Sequence, residues 1–318
     1  MNALGITGGV IQAVVITGGA PLLTGVMRQV RAKLEGRKGP GVGQPWRDLR
    51  KQFRKEAVAP EGTSEIFRVA PLALVATTVV TAVVVPFVTS ASAVEPMADL
   101  FAVVALLAMG TATLALAAID TGTAFGGMGA SREVTILALV EPTLLVSIFA
   151  LSVPAGSTNL AAIVAATLND PGRVLSPASM LAAIALTVVT VAETGRIPVD
   201  NPATHLELTM VHEAMILEYA GPDLALIELA SSMRLCVFLG LLASLFAPWG
   251  IAASPTPLAL AIGTAAFAAK VVAGGAVLAA AEVFMAKIRL FRVPELLAGS
   301  FLLAVAAVAS SYFLAGAS

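Results

Sequence analysis

Charge is scarce in this chain. Asp, Glu, Lys and Arg make up 12% of its 318 residues, whereas 58% are hydrophobic and the mean hydropathy is +0.92. A water-soluble domain cannot bury that much apolar surface, so a soluble globular enzyme is excluded and a polytopic membrane protein is expected. Cysteine is nearly absent as well, since Cys236 stands alone. One thiol can neither close an internal disulfide nor hold an iron–sulfur cluster, so any redox centre must belong to a partner. Only two histidines occur, His205 and His212. On a helix they would stand about 10.5 Å apart along the axis, too far to share one metal ion. The run HEAMI at 212–216 has the first half of a zinc-binding HExxH helix, but Ile216 fills the second histidine position. Each histidine is expected to be an interfacial hydrogen-bonding residue. Gly39, Gly41 and Gly43 lie in neither a GKS/T nor a GxGxxG pattern, which leaves no phosphate cradle. A net charge of −1 gives nucleic-acid binding no support.

What the chain does have is apolar runs of bilayer length, about 20 residues each. They fall at 4–26, 70–90, 98–119, 133–153, 177–193, 226–247, 257–284 and 296–315. These predict eight transmembrane helices in a single integral membrane domain over 1–318. The first run is too long for a cleavable signal and lacks a basic start and a small-residue cleavage site. Short loops rich in Lys and Arg stay in the cytoplasm. The loop 28–68 holds eleven such residues, and eight spans put Arg132, Arg196, Lys287, Arg289 and Arg292 on the same side. Arg173 is alone on the other side, so both termini are expected outside the cell inner (cytoplasmic) membrane. Arg234 and Lys270 fall inside predicted spans.

Residues 36–68 read GRKGPGVGQPWRDLRKQFRKEAVAPEGTSEIFR. A glycine- and proline-rich turn gives way to helix at Pro45, a residue suited to a first turn. Trp46, Leu49 and Phe53 recur at helical spacing amid basic residues, the pattern of an amphipathic helix in the membrane interface. Two readings stay open, a positive-inside anchor on anionic lipid and a docking platform for a cytoplasmic subunit. Loop length beyond what topology requires favours the platform. Its candidate docking residues are Arg37, Lys38, Gly39, Pro40, Trp46, Arg47 and Asp48.

An ionisable residue inside a span costs roughly 2.5–3.5 kcal/mol at the centre on insertion scales, so each calls for a function. Glu141 qualifies best, mid-way along VTILALVEPTLLVSIFAL and ahead of Pro142, which frees a backbone carbonyl and can bend the helix. Asp120 ends the third span before TGTAFGGMGASRE, whose glycines suit a tight re-entrant loop. Glu193 ends the fifth span, and Glu282, beside Lys287, reads as an interfacial charge. The stretch 192–223, AETGRIPVDNPATHLELTMVHEAMILEYAGPD, concentrates Glu193, Asp200, Glu207, Glu213, Glu218 and Asp223. Glu193, Arg196 and Asp200 are spaced to meet on a helix, although Pro198 interrupts it; Arg196 and Arg132 are the basic candidates of an ion cluster. Asn201 and Pro202 form a cap and first-turn pair, which predicts a short acidic helix over 202–219. Its wheel puts Glu207, Glu213 and Glu218 on one face and the histidines nearly opposite. Grouped acids in low dielectric raise one another's pKa, so some exchange protons near neutral pH, the material of a proton relay. Glu213 and Asp223 read instead as solvated surface acids.

Together these motifs resemble the membrane subunit shared by respiratory complex I, where it is subunit 1, and by membrane-bound [NiFe] hydrogenases related to formate hydrogenlyase. RRxGPG is approximated by Arg37-Lys38-Gly39-Pro40-Gly41, and DTGxxFxxxGASRE runs from Asp120 to Glu133. Glu141-Pro142 supplies EP, and AExxRxPxD…EL…EYSG appears as Ala192-Glu193, Arg196, Pro198, Asp200, Glu207-Leu208 and Glu218-Tyr219-Ala220-Gly221. GRKGPGVGQPWRD looks like formate hydrogenlyase subunit 4 rather than the GPNRxGP type of complex I. Ala203, Thr204 and His205 depart from both branches, which commonly carry acids there. The resemblance implies an all-α membrane fold of eight spans, with the amphipathic helix after the first and the acidic helix between the fifth and sixth. It implies an energy-coupling subunit that binds no cofactor itself, with the nickel–iron centre and iron–sulfur clusters in partners. Those partners would be hydrogenase-like large and small subunits, an iron–sulfur subunit and antiporter-like membrane subunits. Asp120, Glu141, Glu193, Asp200, Glu207 and Glu218 would be the coupling acids. A quinone-site subunit of a complex I-like dehydrogenase is the alternative. A stand-alone ion transporter would be favoured by inverted internal repeats, and no convincing repeat is present.

Overall fold

A bilayer offers no water to unpaired backbone groups, so a spanning chain must pair them internally. The computed structural model describes residues 3–200, 210–254 and 256–315, and its regular elements are helices. They are α1 (Ala3–Leu34), α2 (Gln44–Gln52), α3 (Glu65–Val84), α4 (Leu100–Asp120), α5 (Ala124–Ala155) and α6 (Leu160–Asn169). The remainder are α7 (Pro177–Glu193), α8 (His212–Ile216), α9 (Gly221–Phe246), α10 (Pro257–Phe284) and α11 (Val293–Ala315). Seven are long and apolar enough to cross a membrane, namely α1, α3, α4, α5, α9, α10 and α11. At about 1.5 Å per residue the 17 residues of α7 rise only ~25 Å, short of a ~30 Å hydrocarbon core.

α9 lies at the centre, packed against α1, α3, α7 and α10, and α2 rests on its N-terminal half. α5, α7 and α11 form a second packed group beside α4. The expected spans 177–193 and 257–284 coincide with α7 and α10, because their starts carry local signals. Ser176 and Thr256 cap them through their side chains, each followed by proline in the first turn. α1 runs eight residues beyond its expected end, carrying Arg31 back onto α10. α3 stops before Pro86 and not at 90, as the restriction on residues preceding proline dictates. α6, capped by Asn159, is an element the hydropathy reading left out.

Two expectations are overturned. The re-entrant loop after Asp120 is absent: Thr121-Gly122-Thr123 makes the whole turn, and α5 starts at Ala124, nine residues before the expected span. The glycines serve close packing instead. A Cβ on Gly126 would lie 2.4 Å from the Ala118 carbonyl oxygen, and one on Gly129 would lie 3.0 Å from Ala214 Cβ and Val211 O. α5 remains continuous across Pro142.

The helix expected over 202–219 is not continuous either. Residues 201–209, with Glu207 and His205, lie outside the described residues, and only His212–Ile216 is helical after them. Long-range partners capture the backbone there. Arg132 donates to the Met210 carbonyl at 2.8 Å, while the N–H groups of Val211 and His212 donate to Asp200 Oδ2 at 3.3 and 3.4 Å. Gly221, at φ 61°, then starts α9 where a Cβ would stand 2.4 Å from the Glu56 carbonyl oxygen.

Candidate functional site

Buried charge in a low-dielectric bundle must be paired, and the pairs here join distant segments. Arg234, on α9, pairs with Glu193 at the end of α7; their side chains are 7% and 6% exposed. Its other nitrogen, NH1, donates to the Leu107 carbonyl at 3.1 Å. Asp200 has both oxygens occupied, Oδ1 by Lys287 at 3.1 Å and Oδ2 by the two N–H groups of the α8 entry. Glu282 is fully enclosed, paired with Arg31 and standing 3.6 Å from Arg196 NH1.

These pairs correct the local reading of the stretch. Glu193, Arg196 and Asp200 do not pair with one another, because α7 ends at Glu193 and Gly195 turns the chain at φ 56°. Glu282 is not an interfacial charge, since α1 and the 194–200 segment cover it with two guanidinium groups. Arg132 meets a backbone carbonyl and no carboxylate among the described residues.

Two cavities adjoin this network. The larger, about 560 Å³, lies between α1, α2, the 194–200 segment, α8 and α9. Arg28, Arg31, Lys51, Lys55, Arg196, Asp200, Glu213 and Glu228 are among its lining. Glu228 is held by Gln52 Nε2 at 3.0 Å, which ties α2 to α9. The smaller, about 60 Å³, lies deeper and is lined by Glu133, Glu193 and Arg234, with Leu74, Thr111 and Leu114. It is large enough for water, with Glu133, Glu193 and Arg234 as polar partners. Thr194, His212 and Ser231 line both. His212 Nε2 sits 3.2 Å from Ser231 Oγ.

Burial, followed by the nearby Arg31 and Arg28 charges, lowers the pKa of Arg196 to about 10. His212 is pushed below its ordinary value, chiefly by burial; Asp200 opposes this and Arg234 adds to it.

Of the expected coupling residues, Glu193 and Asp200 stand at this network, and Glu213, expected as a surface acid, lines the larger cavity. Glu141 is half-buried on α5, two turns beyond Glu133 and away from both linings. Asp120 accepts the Ser64 N–H at 2.7 Å and so joins α4 to the start of α3. Glu218 is half-buried and lines neither cavity; its neighbour Tyr219 stacks on Phe67 at 4.0 Å and donates to the Phe67 carbonyl at 2.9 Å. Among the docking residues, Trp46 Nε1 donates to the Gly18 carbonyl at 3.1 Å, and Asp48 is 3.7 Å from Arg28. Gly39 lies against Gln29, Arg37 pairs with Glu35, and Lys38, Pro40 and Arg47 are exposed.

Sequence reasoning missed Glu133 and Arg234 as members of one site. Glu133 closes the quoted GASRE run, and Arg234 was visible as a charge within an apolar span.

The comparisons agree with this architecture. The family model for NADH dehydrogenase matches residues 7–312. Formate hydrogenlyase subunit 4 of Escherichia coli is 33% identical over 286 residues, covering 90% of this chain and 92% of that protein. Hydrogenase-4 component C of Escherichia coli is 36% identical over 242 residues, covering 75% of this chain and 74% of that one. A chain in the structure of the membrane-bound sulfane sulfur reductase, an archaeal respiratory membrane complex, is similar in fold at a TM-score of 0.83 and 20% identity. It matches 96% of this chain and 99% of its own length. A match across nearly the whole sequence, with the charged network set among apolar helices, means that this integral membrane chain belongs to the NADH dehydrogenase family of membrane subunits that includes formate hydrogenlyase subunit 4.

Proposed function

We propose that the chain is the membrane-anchoring and proton-coupling subunit of a membrane-bound hydrogenase or formate hydrogenlyase-like complex in the cytoplasmic membrane. The observation that carries this reading is the juxtaposition of the two cavities, the larger against the basic α2 segment and the smaller against Glu133, Glu193 and Arg234. In this topology α7, whose 17 residues stand at the lower limit of spanning length, is an eighth crossing beside the seven longer helices, and both termini lie outside. The segment with Arg37, Lys38, Gly39, Pro40, Trp46, Arg47 and Asp48 seats hydrogenase-like large and small subunits and an iron–sulfur subunit. Antiporter-like membrane subunits pack beside it. Nickel–iron and iron–sulfur chemistry belongs to the partners. This chain's carboxylates respond to it, because a charge moved next to an acid changes its proton affinity by about 1.4 kcal/mol per pKa unit.

Glu193 and Asp200 sit where that response begins, and Glu133 extends it into α5. Glu141 carries it further along the same helix, while Asp120, Glu207 and Glu218 are assigned to the relay by their motif positions. A second reading is a quinone-site subunit of a complex I-like dehydrogenase, favoured by the 560 Å³ cavity. Met27, Pro45, Leu49, Ile216 and Leu235 are the apolar contacts it could offer a quinone, amid a mainly charged and polar lining.

Purification in mild detergent separates the two. Co-isolation of nickel and iron–sulfur subunits is expected, whereas bound quinone with flavin-linked partners would transfer the chain to the second reading. Glu141→Gln is expected to leave that assembly intact and to lower proton translocation at least about tenfold. Wild-type translocation in this variant would remove Glu141 from the relay.

A further inference from the structure

The two cavities meet at three side chains, Thr194, His212 and Ser231. Thr194 donates its hydroxyl proton to the Thr190 carbonyl at 2.6 Å, so it has no second proton to pass on. Ser231 faces the His212 ring. His212 is thus the titratable member of the partition. Its backbone is fixed: Asp200 holds its N–H, and Ala214 and Met215 behind it pack against Gly129. An imidazole on a fixed backbone can still turn about its side-chain bonds. With Nε2 at Ser231, the Nδ1 edge has no hydrogen-bond partner among the described residues.

Building on the coupling reading above, we propose that His212 is the proton carrier between the cavities, taking protons from water in the larger one and delivering them to Glu133 and Glu193 in the smaller one. The step is a simple transfer. A hydronium O–H bond breaks as a ring N–H bond forms. That N–H bond then breaks as a carboxylate oxygen gains the proton, and the ring returns to neutral. Asp200 before α8 and Arg234 on α9 act on the ring directly. The cavities it adjoins are also lined by Glu213 on α8, Glu133 on α5, Glu193 on α7, Glu228 on α9, Arg28 and Arg31 on α1, Lys51 on α2, Lys55 just after it, and Arg196. The lowered proton affinity of the ring suits a carrier, which must be neutral at rest and hold its proton briefly.

The complete complex in proteoliposomes, driven by reduced methyl viologen and read by hydrogen output and an internal pH dye, tests this. His212→Gln keeps a hydrogen-bonding side chain but cannot titrate, and it is expected to lower proton translocation about tenfold with partner co-purification unchanged. Added imidazole should restore His212→Ala, a rescue that a merely structural histidine would not show. Wild-type translocation in His212→Gln beside a defective Glu133→Gln overturns the carrier role and leaves the coupling site standing. Wild-type translocation in both removes the coupling site as well. A His212→Ala defect that imidazole leaves unchanged, with His212→Gln normal, assigns the ring a packing role and ends the proposal. If His212→Ala does not co-purify with its partners, the glutamine variant alone decides.

Discussion

Replacing Arg234 with leucine is expected to lower the stability of the chain by about 3–5 kcal/mol. Removing one member of a buried ion pair leaves the other uncompensated, and here neither member can turn to solvent. The side chains are 7% and 6% exposed, deep between α7 and α9. The substitution also strips a donor from the Leu107 carbonyl, where α4 touches α9. Glu193→Gln on the Arg234→Leu background should recover much of the loss, because the stranded charge is then gone. Thermal unfolding in mild detergent reads both changes. A single-variant loss below about 1 kcal/mol would mean that bulk solvent screens the pair, as at an exposed salt bridge.

The second large effect concerns Glu282. Its carboxylate is fully enclosed and faces Arg31 and Arg196, whose side chains are 25% and 17% exposed. Glu282→Gln keeps the shape and removes the one carboxylate that, among the described residues, forms an ion pair with both cations. The expected loss is about 3 kcal/mol, at the low end for a broken buried pair because both guanidinium groups can rehydrate. Its consequence is local. The C-terminal turns of α1 and the 194–200 segment separate from α10, so protease cleavage near Arg31 and Arg196 should quicken relative to the Arg234 variant. Equal cleavage in the two variants would contradict a pinning role for Glu282 at this face.

Much of this was legible from sequence. Prolines and capping residues are local signals, so α7 and α10 could be bounded from their own residues. Acids in a charge-poor chain stand out, so Glu193 and Asp200 were found. Their partners were not, because helical spacing sees only three or four residues ahead. Arg234 lies 41 positions from Glu193, Lys287 87 from Asp200, and Arg31 251 from Glu282. The same limit explains the 202–219 helix: its caps were in view, but Arg132 taking the Met210 carbonyl from 78 positions away was not. Glu133 was lost to a boundary error. With α5 begun at 133, it read as an end residue, whereas the helix starts nine residues earlier and carries it inside.

The family relationship limits the function to a membrane subunit of this type, and the charged network makes the coupling claim specific. The decisive quantity is the number of protons translocated per hydrogen formed by the reconstituted complex carrying Glu133→Gln. Loss of translocation while hydrogen continues to form is the result expected if the buried acids couple the two processes. An unchanged ratio would contradict that account.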